Sequence, residues 1–90
     1  MSIQINVASF AHEYTNGRKI VEAQGDTVDG CLNNLVAQFP GIGEVLFDGE
    51  GRLRDYLQVY VNGELAYPLD LSLPVRDGGQ IHILRMIAGG

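Results

Sequence analysis

The sequence predicts an α+β domain in which one main helix packs on one face of a mixed sheet of about four to five strands. Three observations support this class. Short segments near both ends and in the middle of the chain alternate polar and apolar residues, which is typical of strands with one buried face. Residues 28–39 instead place apolar side chains at helical spacing. The hydrophobic fraction of 46% is that of a folded globule, and ninety residues fit a single domain.

The first strand is predicted at residues 3–7, where isoleucine and valine alternate with polar residues. Residues 9–16 are predicted to form a loop. Asn16-Gly17 is a turn pair, because both central positions of a type I′ turn need positive φ. Residues 19–23 are predicted to return as a second strand, with Val21 and Ala23 facing inward and Ile20 partly exposed.

The helix is predicted to begin after Gly25-Asp26-Thr27, where Thr27 or Asp26 can accept a hydrogen bond from an orphan backbone N–H. Four apolar residues then share one helical face at i, i+4, i+7 and i+11: Val28, Leu32, Leu35 and Phe39. Pro40-Gly41 is predicted to end the helix.

The second half of the chain predicts three further strands. Residues 42–47 predict a helical turn that covers one edge of the core. Residues 57–61 alternate and predict the third strand, Asn62-Gly63 turns it, and residues 64–66 predict a brief return.

The last strand is predicted after a crossover at residues 68–74 and a tight turn at Asp77-Gly78-Gly79. In this strand Ile81 and Ile83 are predicted to point inward, whereas His82 and Leu84 share the opposite face.

The predicted order is strand, strand, helix, strand, short strand, strand. Because a helix and a sheet each need a partner to bury their apolar faces, this order predicts the β-grasp, or ubiquitin-like, arrangement. The first and last strands would then be parallel neighbours at the centre of the sheet. We expect residues 1–90 to form one domain with a flexible C-terminal tail at residues 86–90.

The composition excludes several classes of function. The formal net charge of −5, without basic clusters, disfavours nucleic-acid binding. The single cysteine, Cys31, excludes an internal disulfide framework and a four-cysteine metal site, and it is expected to be a buried structural thiol. His12 and His82 lie on different segments without a third ligand, so no metal site is expected. The sequence shows neither a signal peptide nor an apolar run of about 20 residues, so no membrane association is expected and the cytoplasm is the expected location.

The chain closes on Ile87-Ala88-Gly89-Gly90. Glycine has no Cβ, so a diglycine end is a thin strand with a free carboxylate that another protein's active site can admit. A frayed end is the alternative interpretation, since termini are commonly disordered. The predicted last strand, which leads directly into the diglycine, favours the functional interpretation.

Four stretches together resemble the ThiS/MoaD family of sulfur carriers: Gly25-Asp26-Thr27-Val28, Val59-Tyr60-Val61-Asn62-Gly63-Glu64, Val75-Arg76-Asp77-Gly78-Gly79 and Ala88-Gly89-Gly90. The resemblance spans nearly the whole chain, and it implies the same β-grasp fold. The chain departs from the common pattern at two places. Gly79 stands where the family often has aspartate, and Arg85-Met86 stand where it often has proline.

The resemblance implies a carrier without catalytic residues of its own. A partner related to ubiquitin-activating enzymes, an adenylyltransferase that uses ATP, would adenylate the carboxylate of Gly90. A sulfur donor would then displace AMP and leave a C-terminal thiocarboxylate, which a sulfur-accepting biosynthetic enzyme would use. The residues implied to enter the partner's active site are Ala88, Gly89 and Gly90, and no cofactor is expected to bind the chain itself.

Residues 51–56 and 59–62 resemble most the CysO-like members, which donate sulfur for cysteine or homocysteine synthesis. The small subunit of molybdopterin synthase and the thiamine-pathway carriers remain alternatives. Two alternatives belong to other classes: a ubiquitin-like modifier with Gly90 joined to lysines of target proteins, and a dedicated enzyme subunit whose tail inserts permanently into a larger catalytic chain.

A docking face for the partner is expected on the outer face of the sheet. The residues predicted to share it are Tyr60, His82, Leu84 and Met86. A contiguous apolar patch that leads to the tail is typical of a docking surface, although scattered exposed apolar residues are also common.

Overall fold

The computed structural model describes residues 2–66 and 71–85, and these form a five-stranded mixed sheet with an eleven-residue helix on one face. The elements in chain order are β1 (Ser2–Val7), a first 3₁₀ helix (Ser9–Thr15), β2 (Ile20–Gln24), α1 (Val28–Gln38), a second 3₁₀ helix (Pro40–Ile42), α2 (Gly43–Leu46), β3 (Leu57–Val61), β4 (Glu64–Leu65) and β5 (Gln80–Arg85). The tail at residues 86–90 lies outside the described residues, so its predicted flexibility stays a prediction.

The strands lie in the order β2-β1-β5-β3-β4, so the first and last strands occupy the centre of the sheet. β1 and β5 are parallel, with Ile5 opposite Ile81, whereas the other neighbouring strands are antiparallel. This topology confirms the predicted β-grasp arrangement, including the parallel central pair.

The core lies between the sheet and α1, because each strand turns one set of alternating residues toward the helix. The helix contributes Val28, Cys31, Leu32 and Leu35, all fully buried. The central strands contribute Ile3, Ile5, Ile81 and Ile83, none more than 1% exposed. Full burial of one such aliphatic side chain stabilises the fold by about 1.5–3 kcal/mol.

The helix begins as predicted, because the Thr27 hydroxyl oxygen accepts a hydrogen bond from the backbone N–H of Gly30 at 3.0 Å. It ends before Pro40, where the second 3₁₀ helix begins. The helical turn predicted for residues 42–47 is present as α2. Asn62 and Gly63 both have positive φ, 52° and 84°, and join β3 to β4 as predicted.

The prediction of a loop at residues 9–16 is wrong, since Ser9–Thr15 is a 3₁₀ helix. Its two buried residues, Ala11 and Thr15, explain the difference: both are fully shielded from solvent. The Thr15 hydroxyl donates to the backbone carbonyl of Arg18 at 2.8 Å, and its oxygen also lies 3.2 Å from the backbone carbonyl oxygen of His12. Asn16-Gly17 does adopt positive φ, but it closes this helix instead of joining two strands directly.

The last turn is tied to the first residues of β1. The backbone N–H of Ser2 donates to the carboxylate of Asp77 at 2.8 Å, and the N–H of Gly78 donates to the carbonyl of Ser2 at 2.8 Å. The N–H of Gln4 donates to the carbonyl of Gly79 at 3.0 Å. These bonds hold the start of β5 beside β1, and they set the register of the strand that leads to the tail.

Gly25 lies against the first turn of α1. A Cβ at Gly25 would approach the backbone nitrogen of Cys31 to 2.6 Å and the backbone carbon of Gly30 to 2.8 Å. Backbone atoms inside a helix cannot move aside as the end of a long side chain can. Glycine at this position therefore allows β2 to pass directly into the helix that covers it.

We expect Gly25→Ala to lower the free energy of unfolding by about 1–3 kcal/mol, the usual range for overpacking. Gly49→Ala is the matched control, because a Cβ there meets nothing within 4 Å, and its effect should stay within about 0.5 kcal/mol. Urea denaturation of the three proteins measures both effects. Equal stabilities for the two variants would contradict the packing described here.

Candidate functional site

The residues predicted to form the site divide into two groups. Met86, Ala88, Gly89 and Gly90 lie outside the described residues, so their predicted roles stay predictions. Tyr60, His82 and Leu84 lie on β3 and β5, and the structure gives their positions.

Tyr60, His82 and Leu84 do lie together on the outer face of the sheet. Tyr60 is directly opposite His82 in the antiparallel pair of β3 and β5, and Leu84 is the next residue of β5 on the same face. Because Ile81 and Ile83 are fully buried against the helix, the alternating side chains of His82 and Leu84 must face away from it. Together with Gly63 the three residues line a shallow depression of about 220 Å³.

This face carries exposed apolar residues beyond those that the sequence predicted. Strand pairing places five residues in one line across the sheet, which we call the outer row: Ile20, Asn6, His82, Tyr60 and Leu65. The two ends of this row are large exposed apolar side chains, Ile20 at 50% and Leu65 at 44%. Leu84, which is 41% exposed, lies beside the row. The sequence predicted that Ile20 is partly exposed. Its position in line with His82 is seen only from the strand register.

The opposite end of the same sheet face is polar. Ser2, Gln4, Glu22, Asp77 and Gln80 surround a depression there. The Ser2 hydroxyl donates to the Glu22 carboxylate at 2.6 Å, so this end is joined by its own hydrogen bonds. The exposed apolar residues therefore lie toward the end of β5 from which the chain continues to residue 90.

Arg85, the last residue of β5, contacts the first 3₁₀ helix. Its guanidinium carbon lies 5.1 Å from the centroid of the Phe10 ring, which is within the usual range of a cation–π contact. Phe10 packs against the hydrophobic core and is partly buried. No pattern in the sequence indicated this contact, because it joins residues from the two ends of the chain.

Cys31 is fully buried in α1, which confirms the prediction of a buried thiol. Burial raises the pKa of this thiol, so the reactive thiolate is disfavoured. The position and protonation of Cys31 are those of a packing residue and do not suit a sulfur relay.

The acidic loop that follows α2 is held by hydrogen bonds between the Asp48 side chain and the backbone of the loop itself. The Asp48 carboxylate accepts hydrogen bonds from the N–H groups of Arg52 and Glu50, at 3.1 and 2.8 Å. These bonds lower the pKa of Asp48.

Within residues 2–66 and 71–85, no group of three or more histidine, cysteine, aspartate or glutamate side chains is placed to hold a metal ion. In the same part of the chain, no helix has the length and apolar character needed to cross a membrane.

Comparison with known proteins identifies relatives along the whole chain. The sulfur carrier protein CysO of Mycobacterium tuberculosis (strain ATCC 25618 / H37Rv) is 32% identical, and the alignment covers 100% of both chains. The crystal structure of M. tuberculosis CysO superposes with a TM-score of 0.85 and 30% identity, over 94% of this chain and 99% of that one.

Two further solved structures are similar over nearly the full length. A chain of the Amycolatopsis orientalis BexX/CysO complex has a TM-score of 0.87 at 31% identity, and the match covers 98% of this chain and 99% of that chain. SAMP1 from Haloferax volcanii has a TM-score of 0.86 at 26% identity, with 100% of both chains covered. The model of the ThiS family matches residues 5–90, which confirms the resemblance seen in the sequence. This chain belongs to the ThiS family.

Proposed function

We propose that this chain is a sulfur carrier whose C-terminal carboxylate, on Gly90, is converted to a thiocarboxylate that donates sulfur in biosynthesis, with cysteine or homocysteine as the product. The observation that carries the proposal is the full-length similarity to the sulfur carrier protein CysO. The match of the ThiS family model, which extends to residue 90, supports a role for the tail itself.

The proposed chemistry needs a partner, because a carboxylate is a poor electrophile. A ubiquitin-activating-like adenylyltransferase would bind ATP and transfer AMP to the Gly90 carboxylate, with release of pyrophosphate. A sulfur donor would then attack the carbonyl carbon and displace AMP. The resulting thiocarboxylate is a soft nucleophile for the sulfur-accepting enzyme. In this reaction the carrier supplies the reacting carboxylate, and the partner supplies the catalytic residues. We place this ATP-dependent reaction in the cytoplasm.

The tail and the outer face have separate tasks in this proposal. Gly89 and Gly90 carry no Cβ, so a narrow active site can enclose their backbone. The outer row and Leu84 would bind the surface of the adenylyltransferase. The exposed apolar side chains of Leu65 and Leu84, together with Tyr60, support this assignment, since contiguous apolar patches commonly mark protein interfaces.

A protein modifier is the second candidate. The similarity to SAMP1, a small archaeal modifier protein, favours it. The same adenylation would then precede transfer of Gly90 to a lysine of a target protein. Conjugates of high mass, detected by blotting with an antibody against this chain, would distinguish the modifier from the carrier.

Adenylation by the activating partner should depend on Gly90. We expect removal of Gly90 to abolish ATP–pyrophosphate exchange. Gly90→Ala should lower its kcat/KM by about a hundredfold, because a Cβ displaces the carboxylate from the attacking position. Gly49→Ala, which changes an open loop position, is the control and should retain the rate. Normal exchange with Gly90→Ala would disprove the role given to this residue.

Docking should depend on the exposed apolar end of β5. We expect Leu84→Glu to raise the KM of the carrier in the same assay by about tenfold or more, because a carboxylate would be desolvated at the interface. Ala37→Glu adds the same charge at an exposed position of α1, on the other side of the sheet, and should leave KM unchanged. Circular dichroism checks that both variants fold. If Leu84→Glu unfolds the protein, or if both variants behave alike, the docking assignment is wrong.

A further inference from the structure

We infer that two side chains of α1, Asn34 and Gln38, close the edge of the sheet along β2 and keep the β2 strand of a second copy of this chain from pairing there. The inference goes beyond the proposed function, because it concerns self-association of the carrier and not the chemistry of Gly90. It rests on backbone and side-chain hydrogen bonds within β1, β2 and α1.

β2 lies at one edge of the described sheet, with β1 as its neighbour. Successive residues of a strand direct their backbone N–H and C=O groups to opposite sides. The N–H of Val7 donates to the carbonyl of Lys19 at 2.8 Å, so odd-numbered residues bond across this pair, and the register places Ile3 opposite Ala23. The even-numbered residues of β2, Glu22 among them, therefore direct their backbone groups away from β1. A row of such groups at a sheet edge is a template for a further strand.

Two side chains of α1 bind the backbone at this edge, and we call them the amide pair: Asn34 and Gln38. The N–H of Gln24 donates to Oδ1 of Asn34 at 3.0 Å, and Nε2 of Gln38 donates to the carbonyl of Glu22 at 2.8 Å. Nε2 of Gln38 also donates to Oδ1 of Asn34 at 3.0 Å. An added strand would need the same N–H and the same carbonyl, so it would have to displace both side chains.

The backbone fixes which end of each amide faces the edge. The N–H of Gln24 can only donate, so Asn34 must present its oxygen, and the carbonyl of Glu22 can only accept, so Gln38 must present its NH₂ group. The second proton of that NH₂ group is then free to bind the Asn34 oxygen, four residues earlier on the same side of the helix. The amide pair therefore forms one directional network in which each member supports the other.

Two exposed side chains of β2 would act in opposite directions on a pairing with a second copy. Ile20 is 50% exposed and would be partly covered, which favours association. In the antiparallel register that pairs the two strands along their whole length through their outward groups, Glu22 would lie opposite Glu22 of the second copy. Like charges directly opposite each other are destabilising. The amide pair therefore adds to a repulsion at the centre of the strand.

Hydrogen exchange of the Gln24 amide tests the contact itself. We expect Asn34→Ala to speed this exchange by about three- to tenfold, because the N–H loses its acceptor. Asn33→Ala removes an exposed amide side chain from the same helix and should leave the rate unchanged. An unchanged rate in Asn34→Ala would overturn the inference.

Two nearly isosteric variants, each with one added negative charge, test the direction of the bonds. Asn34→Asp keeps an oxygen for the N–H of Gln24, so its exchange should stay slow. Gln38→Glu puts an acceptor against both the Glu22 carbonyl and the Asn34 oxygen, so the pair should separate and the Gln24 amide should exchange faster than in the wild type. Equal rates in the two variants would contradict the inference, because shape and charge alone would then account for the contact.

Sedimentation equilibrium tests the exclusion of a second copy. We expect Asn34→Ala/Gln38→Ala to self-associate at least about tenfold more tightly than the wild type, since two edge groups become available to the second strand. Glu22→Gln, added to this variant, should tighten the association further by removing the facing charges. Asn33→Ala is again the control and should sediment as the wild type does.

Intermolecular NOEs show which strands meet in the associated variant, and thermal unfolding checks that it folds. Because the bonds of the amide pair lie at the surface, we expect the variant to remain folded. If it sediments as the wild type does, or if its NOEs do not join two β2 strands, the inference is wrong. None of these measurements uses Gly90 or the activating partner, so a failure of the proposed function would leave their outcome unchanged.

Discussion

The parallel pairing of β1 with β5 is the constraint on which the rest of the structure depends. It holds the first and last strands side by side at the centre of the sheet, with Ile5 opposite Ile81 and both fully buried. A shift of one residue in this register would turn the buried isoleucines to solvent and bring His82 into the core. The antiparallel partners, β2 and β3, then extend the sheet from these two strands, and α1 covers the face that they create.

The same pairing places both parts of the proposed site on one strand. β5 carries His82 and Leu84 on its outer face and ends at Arg85, from which the chain continues to Gly90. A partner that binds the outer row is therefore already close to the start of the tail. When a reacting group is held near its target, much of the entropy cost of a bimolecular encounter is removed from the reaction step.

Most of the fold was predictable from the sequence, because strands with one buried face and an amphipathic helix have clear periodicities. The 3₁₀ helix at Ser9–Thr15 was not, since its formation depends on burial of Ala11 and Thr15 and leaves no periodic pattern. The alignment of Ile20 and Leu65 with His82 depends on strand register, which a single sequence does not reveal. Arg85 was noted only as a departure from the proline common in the family. The structure shows that the guanidinium group of Arg85 contacts the Phe10 ring.

The intact mass of the carrier, after incubation with its activating partner, ATP and a sulfur source, tests the central claim most directly. We predict a mass increase equal to the exchange of one oxygen atom for sulfur, located by fragmentation at Gly90 and absent when Gly90 is deleted. Release of AMP with an unchanged final mass would contradict the carrier function, because activation would then occur without sulfur transfer.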